Sequence, residues 1–457
     1  MVQEMGMLVA SVTNPDEIDQ VSHMADIVEL RLDHFPLTKR PKCPVIFTLR
    51  KKEQGGALKI SEEDRLLQIE KLLEHLPDYF DIEADTDPRF IEKIAKKFPK
   101  VKLIGSYHDF EKTPLDLDAL LKGMINPHFS FYKLALQAQS TLDMLRLMSF
   151  SLSVKVPFTA ISMGEYGAPS RILGKIVGNA FDYAGLTEDR SLGRYSLQTL
   201  NELFHYRKLN QQTLIYALIG DPVEKSEGHL FHNPRFDHNA VYVKLRLLGE
   251  EVPEFFQLVK KLPFGGLSVT MPLKEAVFLQ MDEVTLDAKK IGSINTVTFG
   301  HEKVMGSNTD GMGALNALEK HTQVKNKQLA ILGAGGTARA IAFEAKRRGA
   351  IVSIYNRTKS RCETIGKELG CDAYLLNELQ GYDILINTIP EDISIMPIAN
   401  TFVMDVVYSP KETALLARAK KQGCKCVYGE EMFIEQALLQ QATWSLNFKN
   451  NPVARLV

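Results

Sequence analysis

Three features typical of membrane, secreted or nucleic-acid-binding proteins are scarce in this sequence: long apolar runs, paired cysteines and an excess of one charge. Lysine and arginine number 55 against 56 aspartates and glutamates, which gives a formal net charge of −1. This balance argues against broad affinity for nucleic acid or membranes, which requires a strongly basic face. No apolar run reaches the roughly 18 residues of a transmembrane helix, and the first residues do not resemble a signal peptide. We therefore expect a cytoplasmic protein that binds neither nucleic acid nor membranes.

The cysteines form neither a disulfide framework nor a metal site. There are five of them, irregularly spaced, and the pair Cys424 and Cys426 has no second pair or histidine cluster to complete a zinc site. Reduced thiols are expected, and no metal is predicted.

The chain is too long for one hydrophobic core. It has 457 residues, of which 45% are hydrophobic and 24% charged, as in ordinary globular proteins. Because a single core rarely grows beyond ~250–300 residues, two or three domains are expected.

Between residues 6 and 185, eight short apolar runs alternate with amphipathic stretches such as "EEDRLLQIEKLLEHL". The runs are "GMLVAS", "DIVELRLD", "PVIFTLR", "YFDIEAD", "VKLIGSYHDF", "SFYKLAL", "PFTAISMG" and "AFDYAG". This alternation predicts a (β/α)8 barrel of the α/β class. A polar segment, "HYRKLNQQTL", follows, and we place the end of this first domain (1–208) within it.

One of these runs, "SFYKLALQ", carries a lysine in an otherwise apolar strand. Side chains alternate along a strand, so Lys133 lies on the face opposite Leu134 and Leu136. The outer face of a barrel meets helices and is apolar, and Lys133 is therefore predicted to point inward.

The same alternation predicts a charged barrel interior. The other residues expected to line it are Glu29, Arg31, Asp33, Arg50, Asp81, Glu83, Asp85 and His108. Internal ion pairs that bind nothing would explain any one of these residues. The whole set favours an active site, since such sites lie at the C-terminal strand ends of this fold and packed barrel interiors are normally aliphatic.

An inward lysine near arginines and a histidine suggests covalent chemistry. Burial and neighbouring cations favour the neutral amine, which can attack a ketone to form an imine. The iminium withdraws electrons, so a histidine can then remove a proton from a neighbouring carbon.

The motifs "ELRLD", "TLR…GG", "SYHDF", "FYKLAL" and "SMGEYGAPSR" occur in this order. Together they resemble type I 3-dehydroquinate dehydratase over residues 5–200. The resemblance implies that Lys133 forms the imine, His108 transfers the proton and Glu29 orients or polarises that transfer. It also implies substrate contacts from Ser11, Arg31, Arg50 and Arg171, with Arg171 clamping the substrate carboxylate. Two positions depart from the family pattern: Gln54 replaces a glutamate, and Arg194 replaces a glutamine in the last loop.

The second half contains a glycine-rich turn, "ILGAGGTARA", that follows an apolar strand and opens a helix. This context is typical of a dinucleotide-binding turn, although a tight turn without a ligand is the simpler alternative. The residues predicted to contact the cofactor there are Gly333, Ala334, Gly335, Gly336, Thr337 and Ala338.

The next strand ends in "NRTKSR". NAD sites usually place a carboxylate at this position, but this chain has Asn356 followed by Arg357 and Thr358, with Arg361 beyond. Cations attract a 2′-phosphate, so the predicted cofactor is NADP.

A lysine and an aspartate in the second half fit proton transfer to or from an alcohol. "SVTMPLKEAV" places Lys274 at the start of a predicted helix, and "GSNTDGMG" places Asp310 in a turn. Such a pair can exchange a proton with an alcohol while a hydride leaves its carbon.

The motifs "IGDPVEKS…FHN", "SVTMPLKE", "GSINTV", "NTDGMG", "GAGGTARA", "NRT", "DVVYSP" and "GEEMFIEQA" together resemble shikimate dehydrogenase over residues 215–457. The resemblance implies an α/β substrate domain (214–316, completed by a C-terminal helix, 430–457) and a Rossmann NADP domain (317–429). It implies Lys274 as the acid/base, Asp310 as its partner, and substrate contacts from Ser226, Thr270, Asn295, Tyr408 and Gln436. Gly228 and His229 replace the serine and proline of the family, so a serine at 228 is expected to improve substrate binding.

The two resemblances name consecutive reactions, and we therefore expect a bifunctional enzyme of the shikimate pathway. The first half would dehydrate 3-dehydroquinate to 3-dehydroshikimate, and the second would reduce that product to shikimate with NADPH. One alternative is a different imine-forming barrel lyase fused to a dehydrogenase, against which Arg171 favours a carboxylated ring. Another is a metabolite-sensing regulator without catalysis, against which Lys133, His108 and Lys274 are intact.

Overall fold

A computed structural model describes residues 6–450 of the chain. The outermost parts of the predicted domains, residues 1–5 and 451–457, lie outside the described residues. Three β-sheets, of eight, six and six strands, follow one another along the described part of the chain. The α/β class predicted from the sequence is confirmed.

The first sheet is a nearly closed barrel of parallel strands. They are β1 (Met7–Val12), β2 (Ile27–Arg31), β3 (Val45–Thr48), β4 (Tyr79–Glu83), β5 (Lys102–Asp109), β6 (Phe129–Gln137), β7 (Phe158–Met163) and β8 (Phe181–Ala184). Consecutive strands are neighbours from β1 to β7, and β8 returns to pair with β1. Between β7 and β8, the Ala180 N–H donates to the Phe158 carbonyl at 2.8 Å. These strands are the eight predicted runs, so the barrel prediction is confirmed.

Helices follow most of the barrel strands. They are α1 (Ile18–Val21), α2 (Glu62–Leu73), α3 (Pro88–Lys97), α4 (Leu117–Met124), α5 (Thr141–Ser153) and α6 (Ser170–Leu173), with a π-helical segment at Thr199–Leu203. Residues 32–44, between β2 and β3, are not helical, which departs from the predicted eight strand–helix units. This connection contains Pro36, Pro41 and Pro44. Proline lacks the helical N–H donor and disfavours helical geometry in the residue before it.

The barrel interior has an apolar layer followed by a polar one. On six strands an apolar inner residue is followed two positions later by a polar residue: Val9 and Ser11, Ile27 and Glu29, Ile46 and Thr48, Tyr79 and Asp81, Ile104 and Ser106, Phe131 and Lys133. The apolar members pack in one inner cluster, whereas Leu134 and Leu136 pack outside with the helices. The predicted inward direction of Lys133 is therefore confirmed.

The second sheet is mixed. Its strands are β9 (Leu214–Gly220), β10 (Ala240–Arg246), β11 (Phe264–Val269), β12 (Glu283–Val284), β13 (Thr296–Phe299) and β14 (Val304–Ser307), in the order β10-β9-β11-β13-β14-β12. Strand β13 runs antiparallel to both of its neighbours. The accompanying helices are α7 (Gly228–His232), α8 (Val252–Val259), α9 (Leu286–Ile291) and α10 (Asp310–Glu319).

The third sheet is parallel and has the strand order of a Rossmann fold. Its strands are β15 (Gln328–Leu332), β16 (Ile351–Asn356), β17 (Asp372–Leu375), β18 (Ile384–Asn387), β19 (Phe402–Asp405) and β20 (Lys425–Val427), in the order β17-β16-β15-β18-β19-β20. Its helices are α11 (Gly336–Arg347), α12 (Lys359–Leu369) and α13 (Ala414–Lys421). The chain order reverses between β15 and β18, which is where such sheets bind ligands.

The final helix, α14 (Gly429–Asn450), returns to the second sheet. Its Trp444 is buried, and the indole N–H donates to the Val297 carbonyl of β13 at 3.1 Å. Among residues 6–450, no helix combines the length and the apolar character needed to cross a bilayer.

Loops at the C-terminal ends of the barrel strands contact the second sheet. The Arg246 guanidinium, at the end of β10, lies 5.6 Å from the ring centre of Tyr166 in the loop after β7. The Arg246 carbonyl accepts a hydrogen bond from Thr141, at the start of α5. The ring of His229 stacks on Phe204, with 6.5 Å between ring centres. The two halves therefore meet through segments that follow β6, β7 and β8 of the barrel.

Candidate active sites

Lys133 lies in the barrel with a side chain that is only 4% exposed. Its Nζ contacts Asp81 of β4 and lies 3.9 Å from Glu29 Oε1 of β2. The ring centre of Tyr183, on β8, is 4.6 Å away. Burial lowers the pKa of Lys133 against the opposing effect of Asp81 and Glu29. The environment therefore moves this lysine toward the neutral amine that an imine-forming residue needs.

Asp81 holds two cations in the barrel interior. Arg50 lies 2.8 Å from Asp81 and donates to Ser106 Oγ at 2.6 Å, and Ser106 donates to Asp81 at 2.6 Å. Burial would raise the pKa of Asp81, but Arg50 and Lys133 outweigh it and lower that pKa to about 2. The carboxylate is therefore ionised at neutral pH. Alternation predicted Asp81 inside the barrel, but Asp81, Ser106 and Tyr183 were not among the predicted site residues.

Glu29 is held in place by hydroxyl groups. Ser11 Oγ donates to one carboxylate oxygen at 2.6 Å, and Thr48 Oγ1 donates to the other at 2.8 Å. Ser11 and Glu29 are thus brought together beside Lys133, and Ser11 orients Glu29 in this structure.

His108 lies near the end of β5 and is oriented by Gln54. The Gln54 side-chain oxygen accepts the His108 backbone N–H at 2.8 Å and lies 3.2 Å from the ring Nδ1. An amide oxygen only accepts hydrogen bonds, so Nδ1 carries the proton and Nε2 has the free lone pair. This tautomer suits a general base.

Burial lowers the pKa of His108 well below its usual range, and nearby cations lower it further. In order of decreasing effect, these cations are Arg50, Lys133, Arg31 and Arg171. The histidine is therefore neutral at pH 7, and it lies among the residues predicted to share its site.

Arg171 and Arg194 each have a buried Nε–H without a hydrogen-bond partner in the described part of the chain. Arg171 donates to the Leu192 carbonyl at 3.4 Å, but its buried Nε–H finds no acceptor among residues 6–450. The buried Nε–H of Arg194 likewise finds no acceptor among the described residues. Burial and Arg194 together lower the pKa of Arg171 to about 10. An anionic group would satisfy both donors.

Three other predicted interior residues have local partners. Arg31 forms hydrogen bonds of 3.0 and 2.8 Å with Asp33, and it reaches the Gly55 carbonyl at 3.2 Å. The prediction for Asp85 is wrong, because β4 ends at Glu83 and the Asp85 side chain is 52% exposed beside Lys51. Alternation no longer applies once a strand has ended.

The second site is built around Lys274 and Asp310, whose side chains are in contact. The Asn295 amide donates to Asp310 Oδ1 at 2.7 Å and lies 3.4 Å from Gln436 Oε1. The second sheet, α10 and α14 thereby bring these four predicted residues together. The prediction that Lys274 begins a helix is wrong. Lys274 lies in a turn, and a 3-10 helix follows it at Ala276–Gln280.

Burial raises the pKa of Tyr408, and the nearby side chain of Ser226 partly offsets this effect. The Gly228 N–H donates to Ser226 Oγ at 3.3 Å. A side chain at Gly228 would place its Cβ 3.0 Å from the hydroxyl of Tyr242, a buried residue that the sequence analysis did not include. The remaining predicted residue, Thr270, follows β11 and lies against Gly220.

The glycine-rich turn joins β15 to α11. Gly333 has a φ of +112°, and a Cβ there would lie 2.3 Å from Thr388 Oγ1, so the turn requires glycine. A Cβ at Gly335 would meet nothing within 4 Å, which leaves its outer side open. Gly336 packs against Ser293 and Lys274. Ala334, Thr337 and Ala338 complete the turn and the first residues of α11.

The predicted phosphate-binding residues follow the end of β16. Asn356 is the last residue of the strand, and its side-chain amide donates to the Thr358 carbonyl at 3.1 Å. Arg357 and Arg361 are exposed. These residues leave cationic groups beside the turn, at the C-terminal edge of the sheet.

Comparisons with known proteins cover both halves. A model described as "Type I 3-dehydroquinase" matches residues 11–211, and one described as "Shikimate dehydrogenase substrate binding domain" matches residues 218–297. The "Shikimate dehydrogenase (NADP(+))" of Methanocaldococcus jannaschii is 36% identical and covers 52% of this chain and 93% of its own length.

Two relatives extend over most of the chain. The "Bifunctional 3-dehydroquinate dehydratase/shikimate dehydrogenase, chloroplastic" of Arabidopsis thaliana is 32% identical over 91% of this chain and 77% of that protein. The "Shikimate biosynthesis protein AroDE" of Chlamydia pneumoniae is 36% identical over 97% of this chain and 96% of that protein. With both halves and their order shared at this level of identity, the chain belongs to the AroDE family of bifunctional 3-dehydroquinate dehydratase/shikimate dehydrogenase proteins.

Proposed function

We propose that the barrel dehydrates 3-dehydroquinate through an imine on Lys133, and that the second half reduces 3-dehydroshikimate to shikimate with NADPH. The observation that carries the proposal is the placement of Lys133. This lysine is buried beside ionised Asp81, within reach of Glu29 and close to a neutral histidine. Family membership supports the pairing of the two activities in one chain.

In the dehydratase, neutral Lys133 attacks the substrate ketone and the carbonyl oxygen leaves as water, which forms the imine. His108 Nε2 takes a proton from the neighbouring carbon, and the electron pair forms the C=C bond as hydroxide departs. His108 returns the proton to that hydroxide, so the second product is water. Hydrolysis then restores the lysine and the ketone. Glu29 keeps its orientation through Ser11 during these transfers.

The substrate carboxylate is proposed to lie at Arg171. The unpartnered Nε–H groups of Arg171 and Arg194 support this position, since each would gain a charge-assisted hydrogen bond. Arg31 and Arg50 line the same pocket, although Arg50 is already held by Asp81 and Glu83.

In the dehydrogenase, Lys274 is the proposed proton donor to the ketone oxygen, and Asp310 and Asn295 fix its position. NADPH, when bound, supplies the hydride that is added to the ketone carbon. Ser226, Thr270, Tyr408 and Gln436 are proposed to hold the substrate carboxylate and hydroxyls.

The chain has residues that fit NADP. The open side of Gly335 and the free N–H groups at the start of α11 suit a pyrophosphate. Asn356 stands where a carboxylate would select NAD, and the exposed Arg357 and Arg361 suit a 2′-phosphate. The relative from M. jannaschii, named as NADP(+)-dependent, supports the same cofactor.

We propose the domain limits 1–208, 214–316 with 430–457, and 317–429. The spans of the three sheets support them, as does the return of α14 to β13. The imine-forming lyase of another kind and the non-catalytic regulator are not favoured, because the relatives that match most of the chain are named for these two activities or for shikimate biosynthesis.

The decisive experiment is a coupled assay with the purified chain, 3-dehydroquinate and NADPH. Oxidation of NADPH is expected only when both activities are present. His108→Ala is expected to abolish the coupled reaction but to leave reduction of added 3-dehydroshikimate near normal. Loss of both activities in a folded variant would contradict independent sites.

The imine is tested by borohydride reduction in the presence of 3-dehydroquinate. Peptide mapping is expected to find the adduct on Lys133 and not on the exposed Lys100. Lys133→Met serves as the control that removes the nucleophile. An adduct on another lysine, or none, would overturn the imine assignment without affecting the dehydrogenase.

A further inference from the structure

Thr337 of the glycine-rich turn contacts the proton-transfer pair of the dehydrogenase. Lys274 Nζ donates to Thr337 Oγ1 at 3.0 Å, and this hydroxyl lies 3.3 Å from Asp310 Oδ2, to which it donates. The three side chains therefore form a closed set of hydrogen bonds, since Lys274 and Asp310 are also in contact. A turn that only binds phosphate has no need for this hydroxyl.

The position of Thr337 in the chain joins two functions. Thr337 is the second residue of α11, so its backbone N–H is one of the free donors that would hold the pyrophosphate of the proposed cofactor. Its neighbour Gly336 packs so tightly that a Cβ would lie 2.8 Å from Ser293 Oγ and 3.6 Å from Lys274 Cβ. The turn and the lysine are thus packed directly against each other, and a shift of the turn would move the hydroxyl relative to Lys274.

We propose that Thr337 is a positioning residue for hydride transfer, which aligns Lys274 with Asp310 and ties this alignment to the phosphate-binding turn. The proposal rests on the proposed roles of Lys274 and NADP. A lysine has rotatable bonds along its whole stem, so a second fixed partner restricts where its proton can be delivered. Because the hydroxyl both accepts and donates, only serine can replace threonine without losing this function.

The test compares Thr337→Val, which keeps the shape without the hydroxyl, with Thr337→Ser, which keeps the hydroxyl. For Thr337→Val we expect kcat of shikimate oxidation to fall about 5- to 20-fold. The loss of a whole charge-assisted hydrogen bond would have a larger effect, but Asp310 still holds the lysine. The Michaelis constants for shikimate and NADP are expected to change less than about threefold, since alignment acts on turnover more than on binding. For Ser we expect kcat within about twofold of the parent.

Two further measurements separate positioning from a general structural effect. The dissociation constant of NADP, measured by titration calorimetry, is expected to be similar in all three proteins. The solvent deuterium isotope effect on kcat is expected to rise in Thr337→Val, because proton transfer becomes slower. Dehydratase activity of the same preparations reports the folded barrel and is expected to be unchanged, while the unchanged NADP affinity reports that the third sheet is folded.

Several outcomes would overturn the proposal. These are an unchanged kcat in Thr337→Val, an equal loss in Thr337→Ser, or a loss confined to NADP affinity. Lys274→Met is measured in parallel and is expected to lose about 100- to 10,000-fold in kcat, the usual contribution of a general acid–base group. If that variant stays active, the proposed acid/base assignment fails, whereas an inactive Lys274→Met with a fully active Thr337→Val rejects the role of Thr337 alone.

Discussion

The side-chain oxygen of Gln54 binds His108 at two points, accepting its backbone N–H at 2.8 Å and lying 3.2 Å from its Nδ1. The dehydratase family usually has a glutamate at this position. Here the oxygen is neutral, so it orients the ring without favouring the imidazolium. Burial, and after it the nearby cations, keeps the pKa of His108 well below the usual range.

Gln54→Glu is expected to shift the acid limb of the dehydration pH profile to higher pH. A carboxylate beside the ring stabilises its protonated form and therefore raises the pKa of His108. In its proposed role His108 acts as a base only when neutral, so activity on the acid side of the profile should fall. The measurement is kcat/KM against pH for both proteins. Gln54→Met removes the acceptor and should lower kcat without moving the acid limb. If the acid limb of Gln54→Glu does not move either, residue 54 does not control the protonation of His108.

Asp182 provides a test of stability against pH. It is buried, and burial raises its pKa from 3.8 to about 6, despite hydrogen bonds from Tyr206 at 2.6 Å and Asn179 at 2.7 Å. A raised pKa means that the folded state binds the proton more tightly than the unfolded state. This group therefore lowers the free energy of unfolding as pH rises from about 4 to 6, and the loss persists above that range.

Asp182→Asn removes this titration. The free energy of unfolding of the variant minus that of the parent should increase by about 2 kcal/mol as the pH rises from about 4.5 to about 7.5. The measurement is the difference between the two proteins in barrel unfolding midpoint at each pH. Other titrating groups cancel in this comparison, so a difference that does not change with pH would reject the assignment.

The fold and much of the barrel site were predictable because strand alternation is a strong local rule. It predicted that Lys133, Glu29 and Asp81 would point inward, and they do. It failed for Asp85, since the rule holds only within a strand and β4 ends at Glu83. A sequence pattern shows which face a residue occupies, but not which residue on another strand it will meet.

Contacts between the two halves were beyond prediction for the same reason. The stacking of His229 on Phe204 joins the helix α7 to the segment that follows the barrel, and it gives the histidine at this position a packing partner in the first half. Likewise, the contact between Thr337 and Lys274 depends on how the third sheet lies against the second. These relationships are set by packing between sheets and leave no periodic signal.

Arg357→Ala is expected to reduce the preference for NADP over NAD. Arg357 is exposed beside Asn356, where it can form a charge-assisted hydrogen bond with the 2′-phosphate. Such a bond is worth about 1.5–3 kcal/mol, part of which Arg361 would retain. The measurement is kcat/KM for both cofactors, with Lys367→Ala on α12 as a matched removal of an exposed cation. If the ratio is unchanged, the phosphate is held by other residues.

The last prediction concerns Gly228, where the sequence comparison suggested that a serine would improve substrate binding. The structure gives a reason to expect the opposite. A Cβ at this position would lie 3.0 Å from the Tyr242 hydroxyl and 3.1 Å from its ring, which is closer than most real contacts. Tyr242 is 1% exposed and its ring stacks on His232 with 4.6 Å between ring centres, so it has little room to move.

Gly228→Ser is therefore expected to raise the Michaelis constant for shikimate about 3- to 10-fold, because relief of the overlap must shift the loop that carries Ser226. The constant for NADP should change little, since the turn proposed to bind it joins β15 to α11, away from this loop. Gly228→Ala should behave like the serine variant, because the overlap comes from the Cβ. Adding Tyr242→Phe to Gly228→Ser removes the oxygen nearest the new Cβ and should recover part of the loss. Steady-state kinetics on the four proteins decides the matter: a lower constant in Gly228→Ser would show that the new hydroxyl reaches the substrate and that the loop absorbs the overlap without cost.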